Sequence, residues 1–363
     1  MKSSKYKKLS KLFNNIEPPI TFNPQKDKYV IFSDQHIGMP EFDHNKDLYL
    51  KALEYYYSTG FKLIVLGDYE ELHRYGIKKL KQKYNDVYAS ERKFLKEDRY
   101  FRIFGNHDID WKRPKRVKKY LHDVMPGLEI AEALKFNWSG NYIFLAHGHQ
   151  GDFINDTMGK FGRIILRYIA RPLGIPSITS PAKRYTKRRK VETEYYNWAK
   201  EEKVLFIAGH THRPMFESLT KADRIRINIE NMLREYIVIS DPNEKKKIED
   251  EIVLKKAEFE RVRKEEGEEA KWTGLGQPDL VIPCCSNDGS CLHENGITCI
   301  ELCKDKMRLF LLYDENIEVN VNKHLRAPTT DLIPSDSDAT GYKKQILEEE
   351  DLEYIFTRIR LLS

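Results

Sequence analysis

Five short apolar runs punctuate the chain, and each gives way abruptly to a polar tip. Tyr29-Val30-Ile31-Phe32-Ser33 leads into Asp34-Gln35-His36, and Leu63-Ile64-Val65-Leu66 into Gly67-Asp68. Phe101-Arg102-Ile103-Phe104 leads into Gly105-Asn106-His107-Asp108, and Tyr142-Ile143-Phe144-Leu145-Ala146 into His147-Gly148-His149. Val204-Leu205-Phe206-Ile207-Ala208 leads into Gly209-His210-Thr211-His212. Short runs rich in Val, Ile and Phe predict buried strands, and ligands of open α/β sheets gather at strand carboxyl ends. Five tips drawn from Asp, Asn and His therefore describe one site built by one sheet.

Helical patterns separate the runs. Leu48–Tyr57, the charged stretch Glu71–Lys96 and the basic stretch Trp111–His122 all predict helices. The alternation argues for a largely parallel sheet with helices on its faces. Two segments interrupt it. In residues 153–200, Phe161, Ile164, Ile165, Tyr168 and Ile169 fall at helical spacing around Arg163, Arg167 and Arg171, up to Pro172. That amphipathic stretch reads as a core-packing helix, a lid, or a surface that touches lipid. Residues 219–270 carry almost alternating charge and predict exposed helices, with a hairpin turn at Asp241-Pro242.

Beyond them, Asp279–Ile282, Gly296–Ile300 and Met307–Leu311 predict three more strands, which complete a second sheet packed on the first. The expected organisation is a single domain over 28–322. Residues 1–27 form a basic, poorly structured lead-in broken at Pro18-Pro19. Residues 323–363 form a polar tail with a helix over Tyr342–Ile355.

Composition narrows the class. The chain has 363 residues, 40% hydrophobic and 33% charged, as expected of a soluble globular protein. It contains no apolar run long enough for a transmembrane helix, and its basic N-terminus lacks the apolar core of a signal peptide. Five cysteines lack any C-x-x-C pair, which argues for reduced thiols in a cytoplasmic protein over a zinc site. The net charge of +6 is uneven. Basic runs at 112–119 and 183–190 read either as solvated helix faces or as a positive rim. Such a rim draws in a phosphate-bearing substrate, a nucleic acid or an anionic membrane surface.

The tips themselves carry the chemistry. Asp34 and His36, two residues apart on an extended segment, share a face, and His210 with His212 repeats that geometry. Asp68 adds a carboxylate, Asn106 an amide oxygen and His147 an imidazole. Seven such ligands exceed one tetrahedral ion and suit two divalent ions sharing a carboxylate, the clamp of many phosphatases and nucleases. With only Asp34 and Asp68 negative, a site holding two dications stays net positive, as an anionic phosphoryl group requires. Four imidazoles disfavour Mg²⁺ and Ca²⁺ and suit Mn²⁺ first, then Fe, Zn²⁺ or Co²⁺. His107, beside Asn106, is the natural acid for a leaving oxygen, with Glu71 and Asp108 as candidates to orient it or raise its pKa.

The string Asp34-x-His36, Gly67-Asp68-x-x-Glu71, Gly105-Asn106-His107-Asp108, His147-Gly148-His149 and Gly209-His210-x-His212 resembles the calcineurin-like metallophosphoesterase superfamily. The match covers about residues 29–216, with the strands to Leu312 expected to follow. The resemblance implies a four-layer α/β/β/α sandwich with helical insertions and a dinuclear centre. It implies one ion on Asp34, His36, Asp68 and His212, another on Asp68, Asn106, His147 and His210, and His107 as the catalytic histidine.

Within the superfamily the chain looks closest to the UDP-2,3-diacylglucosamine diphosphatase-like branch. It shares Gly209-His210-Thr211-His212-Arg213-Pro214, Glu71, an insertion after His147-Gly148, and Asn287-Asp288-Gly289-Ser290-Cys291. It departs from those enzymes at His107, where they carry Arg, and at His149, where they carry Asp. His147-x-His149-x-x-Asp152 also approaches the H-x-H-x-D-H signature of metallo-β-lactamase-like hydrolases. The acid comes one place late and no His follows, so His149 is expected to orient its loop.

The expected function is a dinuclear phosphoesterase, in which a hydroxide bridging the metals attacks a phosphodiester, pyrophosphate or phosphomonoester. The substrate is expected to be lipid-linked or a nucleotide, with peripheral membrane contact open and the oligomeric state unread. Two rivals stand beside it: a nuclease using the basic runs as a groove, and a scaffold of the same fold that recruits a partner through 219–270.

Overall fold

A computed structural model describes residues 2–151, 185–219, 221–265, 281–315, 329–331 and 341–363. In chain order the strands are β1 (Ile20–Thr21), β2 (Lys28–Phe32), β3 (Lys62–Leu66), β4 (Tyr100–Ile103), β5 (Ala133–Trp138), β6 (Asn141–Ala146) and β7 (Leu205–Ala208). They continue as β8 (Cys285–Asn287), β9 (Ile297–Cys303), β10 (Lys306–Asp314), β11 (Thr329–Asp331) and β12 (Tyr342–Asp351). The helices are α1 (Ser4–Asn15), α2 (Pro40–Ser58), α3 (Ile77–Lys83), α4 (Asn85–Lys96), α5 (Pro114–Leu121), α6 (Tyr185–Glu202), α7 (Lys221–Val238), α8 (Pro242–Glu265) and α9 (Leu352–Leu362). One sheet has seven strands in the order β11-β12-β10-β9-β2-β3-β4, and the other has five, β1-β5-β6-β7-β8.

The period-two alternation of the apolar runs sets the layers. Val30, Phe32, Leu63 and Val65 pack with Phe42, Tyr49 and Tyr56 of α2, Val87 and Phe94 of α4 and Val117 of α5. Their sequence neighbours Tyr29, Ile31, Ile64 and Leu66 belong instead to a core shared with Phe136, Leu145 and Ile207 of the other sheet. The outer face of the five-stranded sheet presents Phe144 and Phe206. These meet Phe13 of α1 (centroids 5.4 Å) and Trp198 of α6 (5.4 and 5.3 Å) edge-on or tilted. The order is helix, sheet, sheet, helix, the four-layer architecture expected.

Several expectations need correcting. The lead-in is not poorly structured: α1 is capped by Ser3, whose Oγ accepts from Tyr6 N at 3.1 Å, and it buries Leu9 and Phe13 in the outer layer. The first sheet is mixed. β2, β3 and β4 are parallel, but β9 and β10 join them antiparallel rather than completing the second sheet. Around Asp279–Ile282 the described residues begin at 281, and the strand lies later, at β8. The tail expected to be helical from Tyr342 is strand β12 first, helix only from Leu352. The charged segment forms α7 and α8. The apolar–basic stretch 153–171 and Pro172 lie outside the described residues, and with them the lid and lipid-surface readings. Among the described residues no helix is long and apolar enough to cross a membrane.

Glu91 of α4 is fully buried and accepts hydrogen bonds from Tyr49 Oη (2.8 Å) and Tyr100 Oη (2.7 Å). Burial outweighs those bonds and pushes its carboxyl up from 4.5 to about 7. A raised folded value means the fold prefers the protonated acid. Its contribution is complete below the unfolded value of 4.5 and is lost as pH rises through about 7. In urea denaturation the parent should lose about 3 kcal/mol between pH 5 and 8 that Glu91→Gln does not lose.

Candidate metal centre

Every tip identified in sequence arrives at the same place. The carboxyl ends of β2, β3 and β4 bring Asp34, His36, Asp68, Asn106 and His107, and those of β6 and β7 bring His147, His210 and His212. Asp34, His36 and His212 offer ligand atoms within 4.8 Å of one another, and so do Asp68, His147 and His210. The expectation of one site built by one sheet is thereby corrected: candidate donors from both sheets meet at the seam between them.

The backbone is bent to achieve this. Asp34, His36, Asp68, His210 and His212 all have positive φ, between 44° and 69°. Asp and His tolerate the left-handed region better than branched residues, yet each such position costs of order 1–3 kcal/mol and must be imposed by its surroundings. Two glycines make the close approach feasible. A Cβ at Gly105 would lie 2.1 Å from Asp68 Oδ1, and one at Gly67 would lie 2.7 Å from the His147 ring.

Asp68 is the common carboxylate. Its Oδ1 accepts from His107 N at 2.7 Å, while Oδ2 lies 3.2 Å from His147 Nε2, 3.7 Å from His36 Nε2 and 3.9 Å from His107 Nε2. His147 Nδ1 donates to the Leu66 carbonyl at 3.0 Å, which leaves Nε2 facing that carboxylate oxygen. Two lone pairs so close need a proton or a cation between them. Burial lowers His147, but Asp68 and Asp34 outweigh it and raise it to about 9. Burial likewise raises Asp34 and Asp68. The neighbouring imidazoles, His212 and His147 at Asp34 and His147 and His107 at Asp68, hold both well below the usual carboxylate range.

The donor set fits cations. Asp34 Oδ1, Asn106 Oδ1 and His147 Nε2 are buried and make no hydrogen bond among the described residues. Asp34 Oδ1 is nonetheless 2.9 Å from His212 Nε2, and His36 Nε2 is 3.2 Å from the same atom. Buried polar atoms without partners are rare, and these converge.

Glu71 and Asp108 part company. Glu71 Oε1 lies 3.0 Å from His107 Nδ1 and Oε2 lies 3.0 Å from His36 Nδ1, so one carboxylate orients both rings. Burial opposes its ionisation, but the two histidines hold it far below its ordinary value. Asp108 does not turn to the His107 ring, against expectation. Its carboxylate accepts from the backbone of Gly105 (2.6 Å) and Tyr69 (3.2 Å) and pairs with buried Arg102 at 3.4 Å, which pins the turn. His149 is buried, its ring 5.5 Å from that of His147 and 6.0 Å from Phe104.

Other contributors were not among the expected site residues. His73 lies against His107, ring centroids 4.7 Å apart. Ser33 Oγ sits 2.6 Å from Asp34 Oδ2 and 2.8 Å from buried Asp288 Oδ1. One hydroxyl proton cannot serve two carboxylates. Burial, with Asp34 nearby, raises Asp288 well above its ordinary value.

The family model for calcineurin-like phosphoesterases matches residues 27–226, which span β2 through the His210–His212 loop. The chain belongs to that family. It is accordingly a metal-dependent hydrolase acting on phosphoesters. No curated protein matches this phosphoesterase. A solved structure from Streptococcus pneumoniae TIGR4, a conserved uncharacterized protein described as a predicted phosphoesterase, is 12% identical. It aligns over 79% of this chain and 89% of its own with a TM-score of 0.27, too low to carry argument.

Gly105→Ala should push Asp68 out of place without touching a ligand. We expect metal uptake and phosphoester hydrolysis to fall by about 100-fold, read by elemental analysis and a chromogenic assay, with far-ultraviolet circular dichroism unchanged.

Proposed function

We propose that this chain is a dinuclear phosphoesterase that cleaves a phosphodiester or pyrophosphate, with phosphomonoesters as a further substrate class. The observation that carries this reading is the convergence of buried donor atoms on one another: Asn106 Oδ1 makes no hydrogen bond among the described residues, and Asp34 Oδ1 and His147 Nε2 face other candidate ligand atoms at 2.9 and 3.2 Å. We assign one cation to Asp34, His36, Asp68 and His212, and the second to Asp68, Asn106, His147 and His210. Mixed carboxylate, amide and imidazole donors favour Mn²⁺, with Fe, Zn²⁺ and Co²⁺ as alternatives. Bound there, two divalent ions supply positive charge to the phosphoryl oxygens and activate water for in-line attack.

The protein's own groups do the rest. His107 and His212 are the open edge of the cluster, with side chains 24% and 21% exposed against 5% or less for Asp34, His36, Asp68 and His147. His107, its Nδ1 held by Glu71, is placed to give a proton to the leaving oxygen. Burial lowers its pKa, but Glu71 and Asp68 outweigh burial and raise it. A lipid-linked or nucleotide pyrophosphate is our first choice of substrate, on the resemblance to the UDP-2,3-diacylglucosamine diphosphatase-like branch. Free, buried cysteines support a cytoplasmic setting.

Purified protein with Mn²⁺ should hydrolyse bis-p-nitrophenyl phosphate. Asp68→Ala should lower both metal content and rate, and His107→Ala should lower kcat by about 10²–10⁴ while keeping the metal. If every phosphoester tried stays intact, or Asp68→Ala matches the parent, the reading fails.

A second reading, a nuclease, draws on one observation. Lys78 and Lys79 of α3 and Arg113, Lys115, Lys118 and Lys119 at α5 are exposed, without an ion-pair partner among the described residues. Lys81 Nζ, 2.8 Å from the Tyr120 carbonyl, ties α3 to the end of α5. On this reading, the logarithm of the binding constant for DNA or RNA should fall linearly with the logarithm of salt concentration in a fluorescence titration. Binding that ignores salt, or is absent, counts against it.

A further inference from the structure

The loop Gly209-His210-Thr211-His212 holds two left-handed residues, His210 (φ 69°) and His212 (φ 56°), on either side of Thr211. A strained turn keeps one shape only when its surroundings over-determine it. The clamp on this one centres on Thr211, which is fully buried. Thr211 Oγ1 donates to Glu192 Oε1 at 3.0 Å and accepts from Asn287 Nδ2 at 3.1 Å. Asn287 Nδ2 also donates to the Gly209 carbonyl at 2.6 Å.

Glu192 belongs to α6, is 6% exposed, and is neutralised within the same loop. Arg213 Nε donates to Oε1 at 3.2 Å and Arg213 Nη2 makes a short contact to Oε2. One carboxylate thus grips the loop on both sides of His212. One turn on along the helix, Tyr195 Oη donates to the Gly148 carbonyl at 2.8 Å, in the loop of His147.

We infer that Glu192 is a positioning residue of the metal centre. Through Thr211 and Arg213 it fixes the backbone from which His210 and His212 reach the two cation positions. The inference rests on the reading of those histidines as ligands. A group that orients ligands through their backbone should tune metal affinity about as other supporting partners do, by 10- to 100-fold. A carboxylate that only staples α6 to the sheet would move the melting temperature and leave affinity alone.

The test is Mn²⁺ titration by calorimetry on the full, chelator-stripped chain, for the parent, Glu192→Gln, Thr211→Val and the double variant, with melting curves in EDTA. Thr211→Val keeps the side-chain shape and the Glu192–Arg213 pair, so it decides the matter even if Glu192→Gln folds poorly. Weakening of Mn²⁺ by 10- to 100-fold in Thr211→Val, with the double variant no weaker than the weaker single, supports the inference. Parent-like affinity in both singles overturns it, whatever their melting temperatures. Losses that multiply in the double variant also overturn it, because the two residues would then act separately. If the parent itself takes up no Mn²⁺, the ligand reading fails and takes this inference with it. Parent uptake with unaltered variants sinks this inference alone.

Discussion

The Asp68 carboxylate, buried between two sheets, is the constraint from which the rest of the centre follows. A buried charge without compensation costs several kcal/mol, and at this one the compensation comes from imidazoles on three sides, His36, His107 and His147. Gly105 leaves room for the carboxylate itself, and Gly67 for the ring of His147. The turn after β4 is held by Asp108, which is held by Arg102, which also pairs with buried Glu70. Trp111 Nε1 and Tyr88 Oη complete that carboxylate at 2.8 Å each. A polar network buried behind the site thus keeps one turn in place.

The same logic explains the backbone. Left-handed conformations at Asp34, His36, Asp68, His210 and His212 are unfavourable in isolation. They persist because strand pairing and side-chain clamps on both flanks leave no alternative. His210 N donates to Asp34 Oδ2 at 2.9 Å, so even the strained residues restrain one another across the seam. Conformational energy of the folded chain is held at the strand tips and balanced by the cores on either side.

What could be read in the chain was what is local. Strand and polar tip are contiguous for β2, β3, β4, β6 and β7, so the convergence of the seven candidate donors, with His107 beside them, was legible. Asp108 was not separable from Glu71, since both are acids near His107, and only the fold shows which one turns inward. The lead-in hid a helix because its apolar set, Leu9, Leu12, Phe13 and Ile16, is short and lies among lysines just ahead of Pro18-Pro19. β12 hid as a helix because Glu348, Glu349 and Glu350 follow a helix-forming stretch. Cross-strand pairs decide otherwise, with Glu349 on Lys306 and Arg308, and Lys344 on Glu301. Asn287 and Asp288 stood out only as part of the Asn287-Asp288-Gly289-Ser290-Cys291 string, whose contacts lie far along the chain, and Glu192 had no local pattern to announce it.

The seam has a consequence for how such a molecule can change over time. Asp34, His36, Asp68 and Asn106 are fastened to the seven-stranded sheet, while His147, His210 and His212 are fastened to the five-stranded one. A packing substitution between the layers that slides one sheet by a fraction of an ångström would spare the fold and separate the donors. The apolar interior is thereby under chemical as well as conformational selection. Ile31, Ile64, Leu145 and Ile207, packed in the core between the sheets, set the spacing of the candidate donors as surely as the histidines do.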